Sequence, residues 1–200
     1  MKDKILEKST ELFITLGFKS VTMDEIANCT GVSKKTIYKY FKNKTELVDA
    51  VTHHMFDTIS CGIDKICDSK MSPIDELFSI KRLVMEHLKD EKSSPQYQLQ
   101  KYYPKIFSSL KKKQFEMMQG CVIDNLKSGI ETGVYRNNID LEFTSRIYFI
   151  GLTGIKDKDF FPLNNYSMKT LMNIYLEYHL RGICTEKGIY QLENELKKNL

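Results

Sequence analysis

The residues best suited to chemistry in this chain fall in one short stretch. Residues 22–46 read TMDEIANCTGVSKKTIYKYFKNKTE, and positions 33–45 carry Lys34, Lys35, Lys39, Lys42 and Lys44 without a single carboxylate. A field of this kind attracts phosphate with an affinity that falls steeply as salt rises. Thr36, Tyr38 and Tyr40, interleaved with the lysines, add hydroxyls suited to phosphate or base-edge hydrogen bonds. The chemistry implied is recognition of a polyanion, not bond making. No Gly-rich phosphate loop, H-E-x-x-H, G-x-S-x-G or paired-carboxylate pattern occurs in the chain. The neighbours His53 and His54 would project about 100° apart on a helix, which does not let them share a metal. No enzyme, metal or cofactor is expected.

Lysines on a helix surface are often no more than a solvated face, so the elements that position them decide the reading. Thr22 and Glu25 form a T-x-x-E capping box, which starts a helix at about Met23. Ala27, Gly31 and Ile37 stand at offsets of zero, four and ten, the spacing of a helix-turn-helix. Ala27 lets two helices approach, Gly31 takes a left-handed turn, and Ile37 plugs the crevice between them. Ser33 is a natural N-cap for the next helix. Ile37 and Phe41 then point inward, which leaves Lys34, Lys35, Thr36, Tyr38, Lys39 and Tyr40 outward, where a recognition helix meets a major groove. Asn43 and Glu46 repeat the capping signal more weakly before a long helix from Lys44 towards Asp68. Lys44 there combines its charge with the positive end of a helix dipole.

The stretch LFITLGFKSVTMDEIANCTGVSKKTIYKYFKNKTELV, residues 12–48, resembles the N-terminal pattern of the TetR-type (tetracycline-repressor-like) bacterial transcriptional regulators. It carries their G-[FY]-x-x-[VT]-T entry, I-A-x-x-x-G-V-S turn and T-x-Y-x-Y-F-x-x-K-x-x-L exit. The resemblance covers about a quarter of the chain. It implies DNA contacts from Thr22, Ser33, Lys34, Lys35, Thr36, Tyr38, Tyr40 and Lys44, to which the exposed charge of Lys39 is added. Tyr40 stands where members often have His, and Lys35 where many have Gly or Ala, so no operator sequence carries over.

The rest of the chain sets the frame. Thirty Lys plus Arg against 26 Asp plus Glu leave a net charge of +4, too small to imply nucleic acid without the local clustering. Hydrophobic residues at 42% suffice for a real core, and apolar positions recur at helical spacing with no sustained alternation. The fold class expected is all-α: a three-helix DNA-binding domain over residues 1–46, then a helical bundle over 47–200. A segment KDEKSSPQY is expected to interrupt the helices, Pro104 to open a further long one, and residues 185–200 to form a short amphipathic tail. Five widely spaced cysteines, no apolar leader and no uncharged run longer than nine residues point to a cytoplasmic protein without a membrane span. Cys29 could sense oxidation, but small apolar cysteines are more often packing residues.

The resemblance also implies a homodimer on a double-stranded operator and a small-molecule effector held in the C-terminal bundle. Phe143, Ile147, Ile150 and Gly151, with Leu171, Tyr175, Tyr178 and His179, form stripes fit for a four-helix seam between two copies, although the same stripes suit packing within one chain. Phe56, Ile59, Leu83, His87, Tyr102, Tyr103, Phe107, Phe115, Met118 and Tyr148 are candidates to line an apolar or aromatic effector cavity, or simply to fill the core. The alternative function is a DNA-bound interaction protein whose C-terminal domain docks another protein with no inducer.

Overall fold

The computed structural model describes residues 1–88, 95–157, 159–162 and 164–198. The chain is all-α, with ten helices and no strand among the described residues. These are α1 (Lys2–Leu16), α2 (Met23–Thr30), α3 (Lys34–Tyr40), α4 (Lys44–Asp68), α5 (Pro73–Leu88), α6 (Pro95–Tyr102), α7 (Pro104–Glu131), α8 (Leu141–Gly154), α9 (Met168–Ile183) and α10 (Glu186–Lys198).

Most boundaries follow from local chemistry. Gly17, at φ 86°, ends α1. Ser33, Asp140 and Ser167 cap α3, α8 and α9 through side-chain oxygens that accept N–H bonds from the third residue onward. Pro73, Pro95 and Pro104 each stand first in a helix, where the missing N–H costs nothing. The segment expected to break the helices behaves differently in part. Residues 89–94 lie outside the described residues, but Pro95–Tyr102 form α6, a helix that a run of Ser, Pro and Gln concealed.

The chain divides into two compact units: residues 1–61 with 86–114, and residues 62–85 with 115–200. In the first, Ile5, Phe13, Phe18, Val21, Ile26, Ile37, Phe41, Leu47 and Val51 are buried together, and Leu99 of α6 and Ile106 of α7 share that core. The DNA-reading candidates are therefore mounted on a core that includes residues from much later in the chain.

In the second unit, Ile74, Phe78, Leu126, Tyr135, Leu176, Leu180 and Leu192 form the main cluster. A buried polar chain runs through it. Tyr135 donates its hydroxyl to Asn125 Oδ1, and Asn125 Nδ2 donates to the Pro73 carbonyl and to Glu76 Oε1. A Cβ on Gly129 would overlap the Tyr135 ring, so glycine is required where the chain folds back after α7. The expected amphipathic tail is α10, docked through Leu192 and through Glu195, whose carboxylate pairs with Arg82 at 3.1 Å and with Lys198 at 2.9 Å.

Candidate nucleic-acid interface

Thr22 Oγ1 accepts the Glu25 amide N–H, and Glu25 Oε2 accepts the Thr22 amide N–H at 2.6 Å, closing the capping box that starts α2. Those bonds hold the Glu25 carboxyl below its usual range. Gly31 adopts φ 69°, ψ 30°, the left-handed conformation that turns the chain, and Val32 N–H returns to the Ala27 carbonyl at 3.1 Å. Ser33 Oγ accepts from Thr36 N–H, starting α3. Ile37 is fully buried and Phe41 nearly so. Their burial orients the short helix that follows the turn.

The outer face of α3 is as the spacing implies. Ser33, Lys34, Lys35, Tyr38, Lys39 and Tyr40 are exposed, and Thr36 is half-buried beside the Ser33 hydroxyl. Thr22 is exposed at the head of α2. Two lysines have partners that a linear reading misses. Lys34 Nζ donates to Asp24 Oδ2 at 2.8 Å, so the acid-free run meets a carboxylate in space. Lys44 is half-buried, with its Nζ donating to the Lys19 carbonyl at 3.2 Å, and desolvation pulls its pKa below the ordinary lysine value. At the start of α4, Glu46 N–H donates to Asn43 Oδ1, while the Glu46 carboxylate accepts from Lys42 N–H.

Residues 5–51, which contain this constellation, match the family model described as bacterial regulatory proteins, tetR family. Those residues belong to that family's N-terminal domain. It is 23% identical to the HTH-type transcriptional repressor KstR2 of Mycolicibacterium smegmatis over 94% of this chain and 92% of that one. A transcriptional regulator from Cytophaga hutchinsonii superposes with a TM-score of 0.70 at 22% identity, covering 92% of this chain and 98% of the other. The ketosteroid transcriptional regulator KstR2 of Mycobacterium tuberculosis does so with a TM-score of 0.57 at 21% identity, covering 92% and 95%. The tetR family is one of DNA-binding transcriptional regulators, not of enzymes. No helix among the described residues is long and apolar enough to cross a membrane.

The effector candidates of this chain are split between its two units. In the first unit, Tyr103 and Phe107 are half-buried against the core, Phe56 and Ile59 are half-buried on α4, and His87 and Tyr102 are exposed. A recess of about 230 Å³ between α1 and α4 takes in Ile59 and His87 of this set, together with Glu7, Ile14, His54 and Met55. In the second unit, Phe115 meets Phe149 edge-on at 5.2 Å. Met118 packs on the main cluster, which includes the buried Tyr148, and Leu83 lies against Gly62.

On α8 and α9, Phe143, Ile147, Ile150 and Tyr178 are exposed, at 65%, 42%, 60% and 75%. Ile174, which the sequence reading passed over, is exposed at 56% and shares their character. Its position four residues before Tyr178 is the signal that finds it. Leu171 and His179 turn inward and are buried. Tyr175 ties the two helices, its hydroxyl donating to the carbonyls of Ile147 and Tyr148, and its ring occupies the space where Gly151 lacks a side chain.

Proposed function

We propose that this tetR-family regulator is a cytoplasmic repressor. It binds a palindromic double-stranded operator as a homodimer and is released by an apolar or aromatic small molecule. The observation that carries the reading is the exposed face of α3, with Lys35, Tyr38, Lys39 and Tyr40 presented by a buried Ile37 and Phe41. Thr22, Ser33, Lys34, Thr36 and Lys44 complete the DNA-contacting set. Residues 1–46 read DNA, and residues 47–200 hold the effector and the dimer seam.

Dimerisation follows from the apolar face of Phe143, Ile147, Ile150, Ile174 and Tyr178, which a second copy would cover in a four-helix seam. Leu171, Tyr175 and His179 back that face from inside, and Gly151 gives Tyr175 its room. Two copies pair recognition helices about 34 Å apart, the repeat of successive major grooves. The name of the KstR2 relative as a repressor, and of its structure as a ketosteroid regulator, favours repression and an apolar effector. The candidates to meet it are Phe56, Ile59, His87, Tyr103 and Phe107 within the first unit, or Leu83, Phe115, Met118 and Tyr148 within the second. The effector acts by changing the separation of the two DNA-binding heads.

Selection of binding sites from random and genomic DNA by the purified protein near physiological salt tests this reading. An enriched palindrome is expected. Recovery of sequences no different from the input pool would contradict it.

A further inference from the structure

Helix α6 brings a further cation, Lys101, to the unit that carries α3. Its Gln98 Oε1 accepts the Lys19 amide N–H at 3.0 Å, beside Gly17, where any Cβ would overlap the Gln98 amide. Leu99, 5% exposed, is buried in the core that carries Ile37, and the next ring, Tyr103, meets Phe18 edge-on at 6.3 Å. Helix α6 is thus built into the turn between α1 and α2.

This anchoring lines up charges that are remote in sequence. Lys19 Nζ lies 5.1 Å from the centre of the Tyr102 ring, and Lys101 Nζ lies 5.6 Å from the centres of both Tyr102 and Tyr97. Lys101 also donates to the Tyr97 hydroxyl at 3.5 Å, which raises its pKa and keeps it charged. Lys44 Nζ reaches the Lys19 carbonyl. Lys19, Lys101, Tyr97 and Tyr102 are all exposed, and Lys19 stands two residues before Val21 and three before Thr22, the N-cap of α2.

We propose that this corner, formed by Lys19, Lys44, Lys101, Tyr97 and Tyr102, is a backbone clamp for duplex DNA flanking the bases that α3 reads. The proposal rests on the DNA-binding reading of α3. Ammonium groups held over tyrosine rings keep their charge and are pre-oriented, so contact with phosphate releases counterions without first ordering a free side chain. The tyrosine hydroxyls supply donors to phosphate oxygens. The arrangement gives Tyr102 a role on the surface, in place of one in an apolar cavity. Helix α6 is fastened there by the Lys19–Gln98 bond and by buried Leu99.

The test compares the wild type with K101A, K19A and K35A on two duplexes. One is trimmed to the selected operator and the other is longer by about one helical turn on each side, with affinity followed across a salt series. On the longer duplex, K101A and K19A should each lower the slope of log K against log salt by about 0.9, alike for specific and non-specific sequences. On the trimmed duplex the loss should shrink, while K35A should weaken binding on both. If K35A weakens binding but K101A and K19A keep the wild-type slope on the longer duplex, the clamp is wrong and the α3 reading stands. If all three match the wild type, the α3 reading itself has failed. Lys101 is exposed, and an unchanged thermal midpoint of K101A separates lost contact from lost fold.

Discussion

Lys34 Nζ and Asp24 Oδ2 lie 2.8 Å apart, so the first lysine of α3 is already paired with a carboxylate of the helix before it. Both side chains are exposed, and exposed ion pairs are weakly held, so a phosphate can take the lysine over. Until then Asp24 withholds part of the positive field. Asp24→Asn should therefore tighten binding to all duplexes and steepen the salt slope by up to about one unit. Fluorescence anisotropy across a salt series measures this, and an unchanged slope would show that Lys34 does not reach DNA.

Ile37 carries the orientation of α3 through packing alone. Ile37→Ala should cost about 2–4 kcal/mol of stability, because a fully buried side chain would leave a cavity between α2 and α3. Denaturant unfolding followed by circular dichroism reads it. A loss near zero would mean that the crevice is not packed as described.

The exposed face of α8 and α9 predicts an assembly change. Ile150→Glu and Tyr178→Glu place charge on side chains 60% and 75% exposed in the single chain. They should shift sedimentation from dimer towards monomer, with helical content retained and operator affinity reduced. A dimer that persists in both variants would move the seam elsewhere.

Burial of His179 among Tyr148, Tyr175 and the surrounding core lowers its pKa from 6.5 to about 4. The folded chain therefore resists protonating it, and between those values the unfolded chain binds more protons. Stability contributed by the neutral ring is present in full above about pH 6.5 and is lost as the pH falls towards 4, by a total of about 3 kcal/mol. His179→Gln should flatten that part of the stability profile in urea titrations from pH 4 to 7. A profile as steep as the wild type would assign the acid sensitivity to other groups.

What was legible in the sequence is what local bonding decides. The Thr22–Glu25 box, the Ser33 cap and the left-handed Gly31 depend on partners three or four residues away, so their spacing could be read directly. The inward turn of Ile37 and Phe41 followed from helical period alone. What could not be read depends on segments distant in sequence. The Lys19–Gln98 bond joins positions 79 residues apart, and nothing in SSPQYQLQ announces a helix that enters the core of the first unit through Leu99. Similarly, Leu171 and Ile174 look alike in one dimension. Only the packing of α9 buries the first and leaves the second exposed.

The central claim is that α3 of each of two chains enters a major groove. Methylation interference on the selected operator tests it most directly, because guanine N7 faces the major groove and adenine N3 the minor. The account predicts that N7 methylation blocks binding in two clusters about one helical turn, or a multiple of it, apart, related by the palindrome. Interference confined to adenine N3, or a single unpaired cluster, would contradict it.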